Sequence, residues 1–460
     1  MAHNAVYQSA QDYMCQHGLP GWLIYDYRHS NPIFPQVVPA SGHVTRPCFL
    51  YLAATGPARL LVHHVDAGKF ADSGAQLLVY RDRNGMINSL GQMLSGASQV
   101  AMEYSPQNAL PRVSRVDGGT IELVRSLGVE VVSSADLMQY ATQRWTPGQL
   151  EGHRRSADLL GKIVNQAFQY IGEQMASGVT EYDVAEFIRR RFAEENLEAA
   201  DGPIVAVNAH SSDPHYEPAD QGSSLVRPGD WVLIDLWAKE IDNPDSLLPD
   251  SPLPDSPLME ASAGSVYADI TWVAYVGDSV PARHQEIFDI VIGSRDAALA
   301  YLQDSYQQGV TVQGWQADEV AREHISQKGY GEYFTHRLGH SISYEVHGEA
   351  VNLDGFETHD TRQIIPGIGF SIEPGIYLPE FGVRSEIDAY MSEEGPFVSS
   401  PVQREVVLIR GDRAQPEPRA TSLQPTQSRG STKYDIAATR SCHIPLHSRR
   451  LSIARLLNWR

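Results

Sequence analysis

The stretch THRLGHSISYEVHGEA (Thr335–Ala350), followed after a polar loop by PGIGFSIEPGIYLPEFGVRSEIDAYM (Pro366–Met391), decides how this chain is read. It gathers three histidines, His336, His340 and His347, and two carboxylates, Glu373 and Glu386, among apolar residues. Phe370 and Ile372 alternate ahead of Glu373, so the pattern predicts a short strand with Glu373 on its other side. In GVRSEIDAYM, Val383, Ser385 and Ile387 share one side of a strand, with Arg384, Glu386 and Asp388 on the other. A carboxylate buried on such a strand is costly unless a cation or hydrogen bonds offset it. Two of them suggest a shared cation.

The same arrangement occurs earlier in the chain. Asp235 in RPGDWVLIDLWA stands seven residues after Pro228, and Glu373 stands seven residues after Pro366. GVT occurs at Gly178–Thr180 and again at Gly309–Thr311, each time preceded by a long helical pattern and followed by a shorter one. A second acid lies on each returning strand: Asp269 in VYADITWVAYVG and Glu386 in GVRSEIDAYM. The chain reads as two related halves, each a helical pair followed by a carboxylate-bearing hairpin. Folded face to face, they would bring four carboxylates to one point.

Composition sets limits. Of 460 residues, 42% are hydrophobic and 20% charged, the balance of a globular protein with room for two or three domains. The net charge of −20 is uneven, because the chain from Asp412 onward carries nine Lys or Arg against three Asp or Glu. A body so acidic is a poor nucleic-acid binder. The three cysteines, Cys15, Cys48 and Cys442, are too scattered for a disulfide framework or a thiolate metal site. With no basic-then-apolar leader pattern and no membrane-spanning apolar run, a cytoplasmic location without membrane contact is expected.

Residues 1–145 alternate short apolar runs with helical patterns, as in an α/β domain. Residues 146–411 hold the repeat. Helices are expected near Pro147–Met175, Glu181–Asn196, His284–Gln308 and Val312–Lys328, with Thr180 capping the second and Asp183 completing the cap. Between the ligand-bearing strands of the first half, PDSPL occurs twice in tandem. Asp235 and Asp269 are 34 residues apart but Glu373 and Glu386 only 13, and the difference of 21 matches an insertion over 242–262. Residues 412–460 read as a basic low-complexity tail.

Asp235, Asp269, Glu373, Glu386 and His340 together offer oxygen-rich ligation with one nitrogen, suited to manganese first, and to cobalt or zinc. Four negative charges match two divalent ions better than one. His336 and His340 are not a zinc-protease HExxH pair, because Arg337 occupies the Glu position. His210 and His215 lie in a polar loop that runs into the strand bearing Asp235.

These motifs (DPHYEP, VLIDLWA, ADIT, LGHSISYEVH, SIEPGIY and GVRSEID) resemble those of the pita-bread metallopeptidases, specifically the Xaa-Pro aminopeptidase and prolidase branch. The resemblance covers roughly residues 150–410 and implies an α/β N-terminal domain ahead of an α+β catalytic domain with an internal pseudo-twofold repeat. It implies a homodimer acting on peptides at the bond before proline. Asp235 would chelate one metal, Asp269 and Glu386 would bridge both, and His340 and Glu373 would complete the second. His215 and His347 would bind substrate and stabilise an oxyanion, and Glu373 would take the proton of the attacking water. Arg384 and Tyr377 would be supporting polar groups, with His336, Arg362 and Tyr377 contacting substrate; Arg362 is offered for a dipeptide's terminal carboxylate. Trp272 after ADIT, where Arg is usual, and Gly348 after His347, where an acid is common, depart from the pattern. Two alternatives on the same fold are a creatine-type amidinohydrolase and a non-catalytic module for basic proteins; each would be expected to have lost metal ligands, and none is missing here.

Overall fold

The computed structural model describes residues 2–241 and 264–411. The tandem PDSPL insertion and the basic tail lie outside the described residues. Between Gly21 and Ser133 the short apolar runs form a six-stranded sheet, in the order Gln76–Tyr80, Arg59–His63, Cys48–Ala53, Gly21–Asp26, Gln99–Met102 and Glu130–Ser133. Alternate residues of its central strand enter different cores. Trp22 and Ile24 pack with Met14, Leu137 and Met138 from the helices Ala2–His17 and Ala135–Thr142. Leu23 and Tyr25 pack with Leu90 and Val124 from Arg83–Met93 and Gly118–Ser126. A sheet with helices over both faces explains why its strands read as nearly continuous apolar runs.

The second region opens with the helix Pro147–Gln174, started by a Thr146–Gln149 capping box with Pro147 in the first turn. Leu160, Ile163, Val164, Ala167, Phe168 and Ile171 recur at helical spacing. They pack against Val232, Ile234 and Leu236 of the strand Trp231–Glu240 and Ile270 and Ala274 of its antiparallel partner Ala268–Val276. The later helix Ala282–Gln307 buries Ile287, Phe288, Val291, Ala298 and Leu302 in a core shared with Phe370, Ile372, Ile387 and Ala389. Those last four residues belong to a sheet ordered Ser341–Ile342, Gly369–Ile372, Ile387–Ser392 and Gly395–Val398. The shorter helices Glu181–Glu194 and Gly314–Gln327 complete the pairs. Two helical pairs and two antiparallel hairpins are thus present, as the sequence repeat requires. Among the described residues no helix is long and apolar enough to cross a membrane.

One strand expectation needs correcting. Glu373 and Glu386 do not lie within strands; each falls in a break between two short ones. Glu373 and Pro374 separate Gly369–Ile372 from Gly375–Tyr377, while Ser385 and Glu386 separate Gly382–Arg384 from Ile387–Ser392. Pro374 has no N–H to continue a ladder, so the strand stops there. The amides at the breaks find other acceptors: Glu373 N–H donates to the Leu338 carbonyl (2.8 Å) and Glu386 N–H to the Thr271 carbonyl (3.2 Å).

Gly382 sits where this second hairpin meets the first half. Its N–H donates to Ser211 Oγ at 2.8 Å, and its carbonyl accepts from Trp231 Nε1–H at 2.8 Å. A Cβ at this position would lie 1.9 Å from the Ser211 carbonyl oxygen. Gly382→Ala is therefore expected to destabilise the fold by about 1–3 kcal/mol, the usual range for overpacking. Urea unfolding measures this, and an unchanged midpoint would contradict the packing described.

Candidate metal centre

Asp235 and Asp269 come from neighbouring antiparallel strands. In the register, Asp235 faces Thr271 and Asp269 faces Trp237, so all four side chains share one face of the sheet. The opposite face is the helix-covered core, which fixes which way the acids point. Glu373 and Glu386 are brought over them by the breaks in the second hairpin. His340 arrives one residue before the strand Ser341–Ile342, where its N–H donates to Ser371 Oγ (3.0 Å) and its carbonyl accepts from Ser371 N–H (2.8 Å). The preceding Gly339 permits this close approach, since a Cβ there would lie 2.1 Å from the Ser371 carbonyl oxygen.

The donor set fits a cation. One ligand atom from each of Asp269, His340 and Glu386 lies within 4.8 Å of the other two, and all three residues are buried. Asp269 Oδ1 and Glu386 Oε1 are buried and accept no hydrogen bond among the described residues. Such orphaned acceptors are uncommon in folded proteins and ask for a partner. His340 Nδ1 lies 3.2 Å from the Ser341 carbonyl, which assigns the proton to Nδ1. Its Nε2 lone pair then faces Glu373 Oε1 at 3.3 Å and Asp269 Oδ2 at 3.7 Å. Burial holds the His340 pKa well below 6.5, so this imidazole is neutral and cannot itself neutralise the acids. Lone pairs aimed at carboxylate oxygens are reconciled by a shared cation.

The electrostatics agree. Burial, followed by the charge of Asp235, pushes the Asp269 carboxyl well above its ordinary range. Burial and Asp269 do the same to Glu386. Glu373 is raised to about 7, chiefly by burial and against the pull of Arg384 and Arg337. Arg384 is the counterweight. Burial alone would lower its pKa, but Asp235, Tyr377, Glu373 and Glu386 hold it well above the ordinary value. Its Nη2–H donates to Asp235 Oδ2, its Nε–H to Thr271 Oγ1 (2.9 Å) and its Nη1–H to Tyr377 Oη (3.1 Å). Thr271 Oγ1 also lies 2.9 Å from Asp235 Oδ1 and 2.7 Å from Glu386 Oε2. A hydroxyl has one proton to give, so it can donate to one of these carboxylates at a time. Thr271 was not singled out in the sequence; its position opposite Asp235 in ADIT was the available signal.

The acids form the floor of a cavity of about 850 Å³. His336, His215 and His347 line it, as do Pro203, Ile204, Pro214, Pro218, Trp237 and Val346. His347 stands edge-on to His340, ring centroids 4.3 Å apart. Partial burial, then the charges of Arg337 and Arg112, lower the His347 pKa to about 4. The loop carrying His215 is tied down by the buried Glu181, whose carboxylate accepts from Val207 N–H (2.7 Å), Tyr216 Oη–H (2.7 Å) and Ser224 N–H (2.7 Å), with His210 Nδ1 at 2.9 Å. Sequence reading passed over Glu181 because a first-turn helix acid normally serves only its own helix.

Two half-repeats thus close over buried carboxylates and a neutral imidazole, a donor set able to hold a metal ion. The profile of metallopeptidase family M24 matches residues 153–240 and 259–393. The gap between these segments falls in the PDSPL stretch. The chain is 28% identical over 254 residues to the uncharacterized peptidase YqhT of Bacillus subtilis, covering 54% of this chain and 60% of that one. It therefore spans less than two thirds of that relative. Its structure is similar to the dipeptidase PepE from Mycobacterium ulcerans (TM-score 0.65, 21% identity, 89% of this chain and 98% of that one). It is also similar to the prolidase from Pyrococcus horikoshii OT3 (TM-score 0.58, 22% identity, 87% and 99%). The chain belongs to metallopeptidase family M24 and has its pita-bread fold.

Two residues expected to touch substrate are located elsewhere. Tyr377 is buried behind His336 and does not line the cavity: its Oη lies 2.7 Å from His336 Nε2 and accepts from Arg384. His336 Nδ1 contacts the Arg337 carbonyl at 2.7 Å, so Nε2 is the acceptor and Tyr377 Oη–H donates to it. Arg362 is also off the cavity, only 2% exposed. Its fork grips Asp360 through Nε (3.0 Å) and Nη2 (2.6 Å), and Nη1–H donates to the Glu349 carbonyl (2.8 Å). The local Asp two residues upstream occupies the fork. Arg362→Ala would strand a buried Asp360 charge, so it is expected to lose about 3–5 kcal/mol of stability. Denaturant unfolding tests this; unchanged stability with a raised KM for dipeptides would restore the substrate role.

Proposed function

We propose that this protein is a metal-dependent peptidase that hydrolyses the bond preceding proline. The observation carrying this reading is the buried Asp269–His340–Glu386 cluster, with orphaned oxygens, at the floor of a proline- and tryptophan-walled cavity. Asp235, Asp269, His340, Glu373 and Glu386 would hold two divalent cations, manganese first, with cobalt and zinc as alternatives. When bound, such ions supply Lewis acidity at a scissile carbonyl and neutralise the negative charge gathered there. The similar structures, a dipeptidase and a prolidase, support the peptide class.

The chain's own groups divide the remaining work. Glu373 Oε1 accepts from Ser371 Oγ–H at 3.0 Å, which orients a carboxylate that would accept the proton of the attacking water. His347 and His215, on the cavity wall, would donate to the oxyanion that develops at the carbonyl. Arg384 holds Asp235 in place through its Nη2–H. Pro203, Ile204, Pro214, Pro218, Trp237 and Val346 provide the apolar surface that a proline ring and a small preceding side chain would cover.

The test is hydrolysis of Ala-Pro and Ala-Pro-Ala beside Ala-Ala, with metal content measured on the same preparation. Release of alanine from the proline substrates, loss of turnover with metal on exhaustive chelation, and a lower melting temperature of the stripped protein are expected. Full turnover without bound metal would overturn the reading, as would equal cleavage of Ala-Ala. His347→Ala is expected to lower kcat by about 10²–10³-fold, the scale of losing one oxyanion donor. Steady-state kinetics check it, and a change confined to KM would move His347 from the transition state to ground-state binding.

A further inference from the structure

A second cavity, of about 460 Å³, lies where the helices Ala2–His17 and Ala135–Thr142 meet Gln363, Ile365 and Pro366. It shares no lining residue with the cavity over the acids. Arg144 lines it without an ion pair or a side-chain hydrogen bond among the described residues, and its Nε is buried. The guanidinium is nonetheless held in place. Its Cζ stands 4.4 Å from the centroid of the Tyr140 ring, and its stem runs so close to Gly367 that a Cβ there would lie 3.0 Å from Arg144 Cγ. A planar fork that is fixed and lacks a counter-ion is prepared for a carboxylate, which it grips through two parallel hydrogen bonds. Asp136 and Glu393 line the same cavity, and neither forms an ion pair among the described residues. The Tyr13 hydroxyl is raised to about 12, first by burial and then by the charge of Asp136, so that acid stands near Tyr13. Tyr13 stacks on His17 with ring centroids 3.9 Å apart and leans on Tyr140 at 5.2 Å, while Ile365 and Pro366 add apolar surface.

We propose that this second cavity binds the zwitterion of a free α-amino acid with an apolar or aromatic side chain, its carboxylate on Arg144 and its ammonium on Asp136 or Glu393. The charges of the lining select that class. One guanidinium against two carboxylates disfavours phosphate or a simple carboxylate, and an amine alone would leave Arg144 without a partner. A zwitterion sets an opposite charge against each side and gives the buried Nε–H an acceptor. Its side chain would cover Tyr13, Ile365 and Pro366, and the volume falls within the range of small-molecule sites. This assignment uses nothing from the peptidase reading. A peptidase nevertheless releases amino acids of this kind, so a bound product would brace the helices of the first region against residues 363–366 of the second.

The test is calorimetry on the full-length, metal-loaded protein with L-phenylalanine, L-phenylalaninamide, N-acetyl-L-phenylalanine and inorganic phosphate. Phenylalanine is expected to bind, with the amide and the acetyl form each weaker by about tenfold or more, the scale of one lost hydrogen bond to a charged group. Arg144→Gln should erase the advantage of phenylalanine over its amide, and Arg144→Lys, which keeps the charge without the fork, should retain part of it. The double variant Asp136→Asn, Glu393→Gln should erase the advantage over the acetyl form. Phenylalanine should also raise the melting temperature of the parent and leave that of Arg144→Gln unchanged. A crystal soaked with phenylalanine separates the two cavities: density beside Arg144 supports the proposal, and density over the floor acids alone overturns it. Equal binding of phenylalanine by the parent and Arg144→Gln, or tighter binding of phosphate than of phenylalanine, would overturn it as well. If the parent cleaved no peptide, the peptidase reading would fall, and the calorimetry and the soak would still decide for or against this site.

Discussion

Carboxylates that share a buried volume repel one another, and most of this architecture can be understood as a response to that repulsion. Asp235, Asp269, Glu373 and Glu386 converge on one cavity, and for Asp269, Glu373 and Glu386 burial and the neighbouring acids both favour the protonated form. Arg384 offsets part of the charge from within, and its three hydrogen bonds hold it at Asp235. One guanidinium cannot balance four acids. The orphaned oxygens on Asp269 and Glu386 mark where the imbalance remains, and His340, neutral through burial, presents its lone pair to the same place. The rest of the fold holds these groups together.

The two halves meet that demand by different local means. In the first, Asp235 and Asp269 project from an unbroken antiparallel pair whose other face rests on the helix Pro147–Gln174. In the second, the chain interrupts its strands at Glu373 and Glu386 and turns between a four-stranded and a two-stranded sheet. The breaks release the two glutamates from strict alternation, and amides that would have paired in a ladder donate across to Leu338 and Thr271. The halves are therefore alike in order of elements and unlike in hydrogen bonding at the ligands.

The sequence made the helices and the converging acids legible because both rest on spacing. Leu160, Ile163, Val164, Ala167, Phe168 and Ile171 declare a helix face, and the recurrence of a carboxylate seven residues after a Pro-Gly pair declares a duplicated hairpin. What spacing cannot express is competition among partners. Arg362, expected to take a dipeptide's terminal carboxylate, is gripped by Asp360 in the interior. Tyr377 belonged to the right neighbourhood but faces His336 rather than the cavity. Thr271 and Glu181 drew no notice because each acts by hydrogen bonds to residues remote in the chain. The strand breaks at Glu373 and Glu386 were hidden by apolar alternation on either side, although Pro374 was a visible reason for one of them.

Polar contacts tie the six-stranded region to the segment Ile342–Val351, which carries His347 of the cavity wall. Arg112 Nε–H donates to the Gly348 carbonyl (2.9 Å) and its Nη2–H to that of His347; Arg115 pairs with Glu349 (2.9 Å), and Gln139 Oε1 accepts from Val351 N–H (3.1 Å). Trp145 adds its indole N–H to the Ile342 carbonyl at 3.1 Å. The backbone that carries His347 is thus moored to a region with none of the floor carboxylates. Inheritance of a defect need not respect that boundary: an allele altered at Arg112 would leave the acids and their strands untouched and still loosen the backbone of a histidine on the cavity wall, so a defect mapped to the first region is no sign that the region has a separate task.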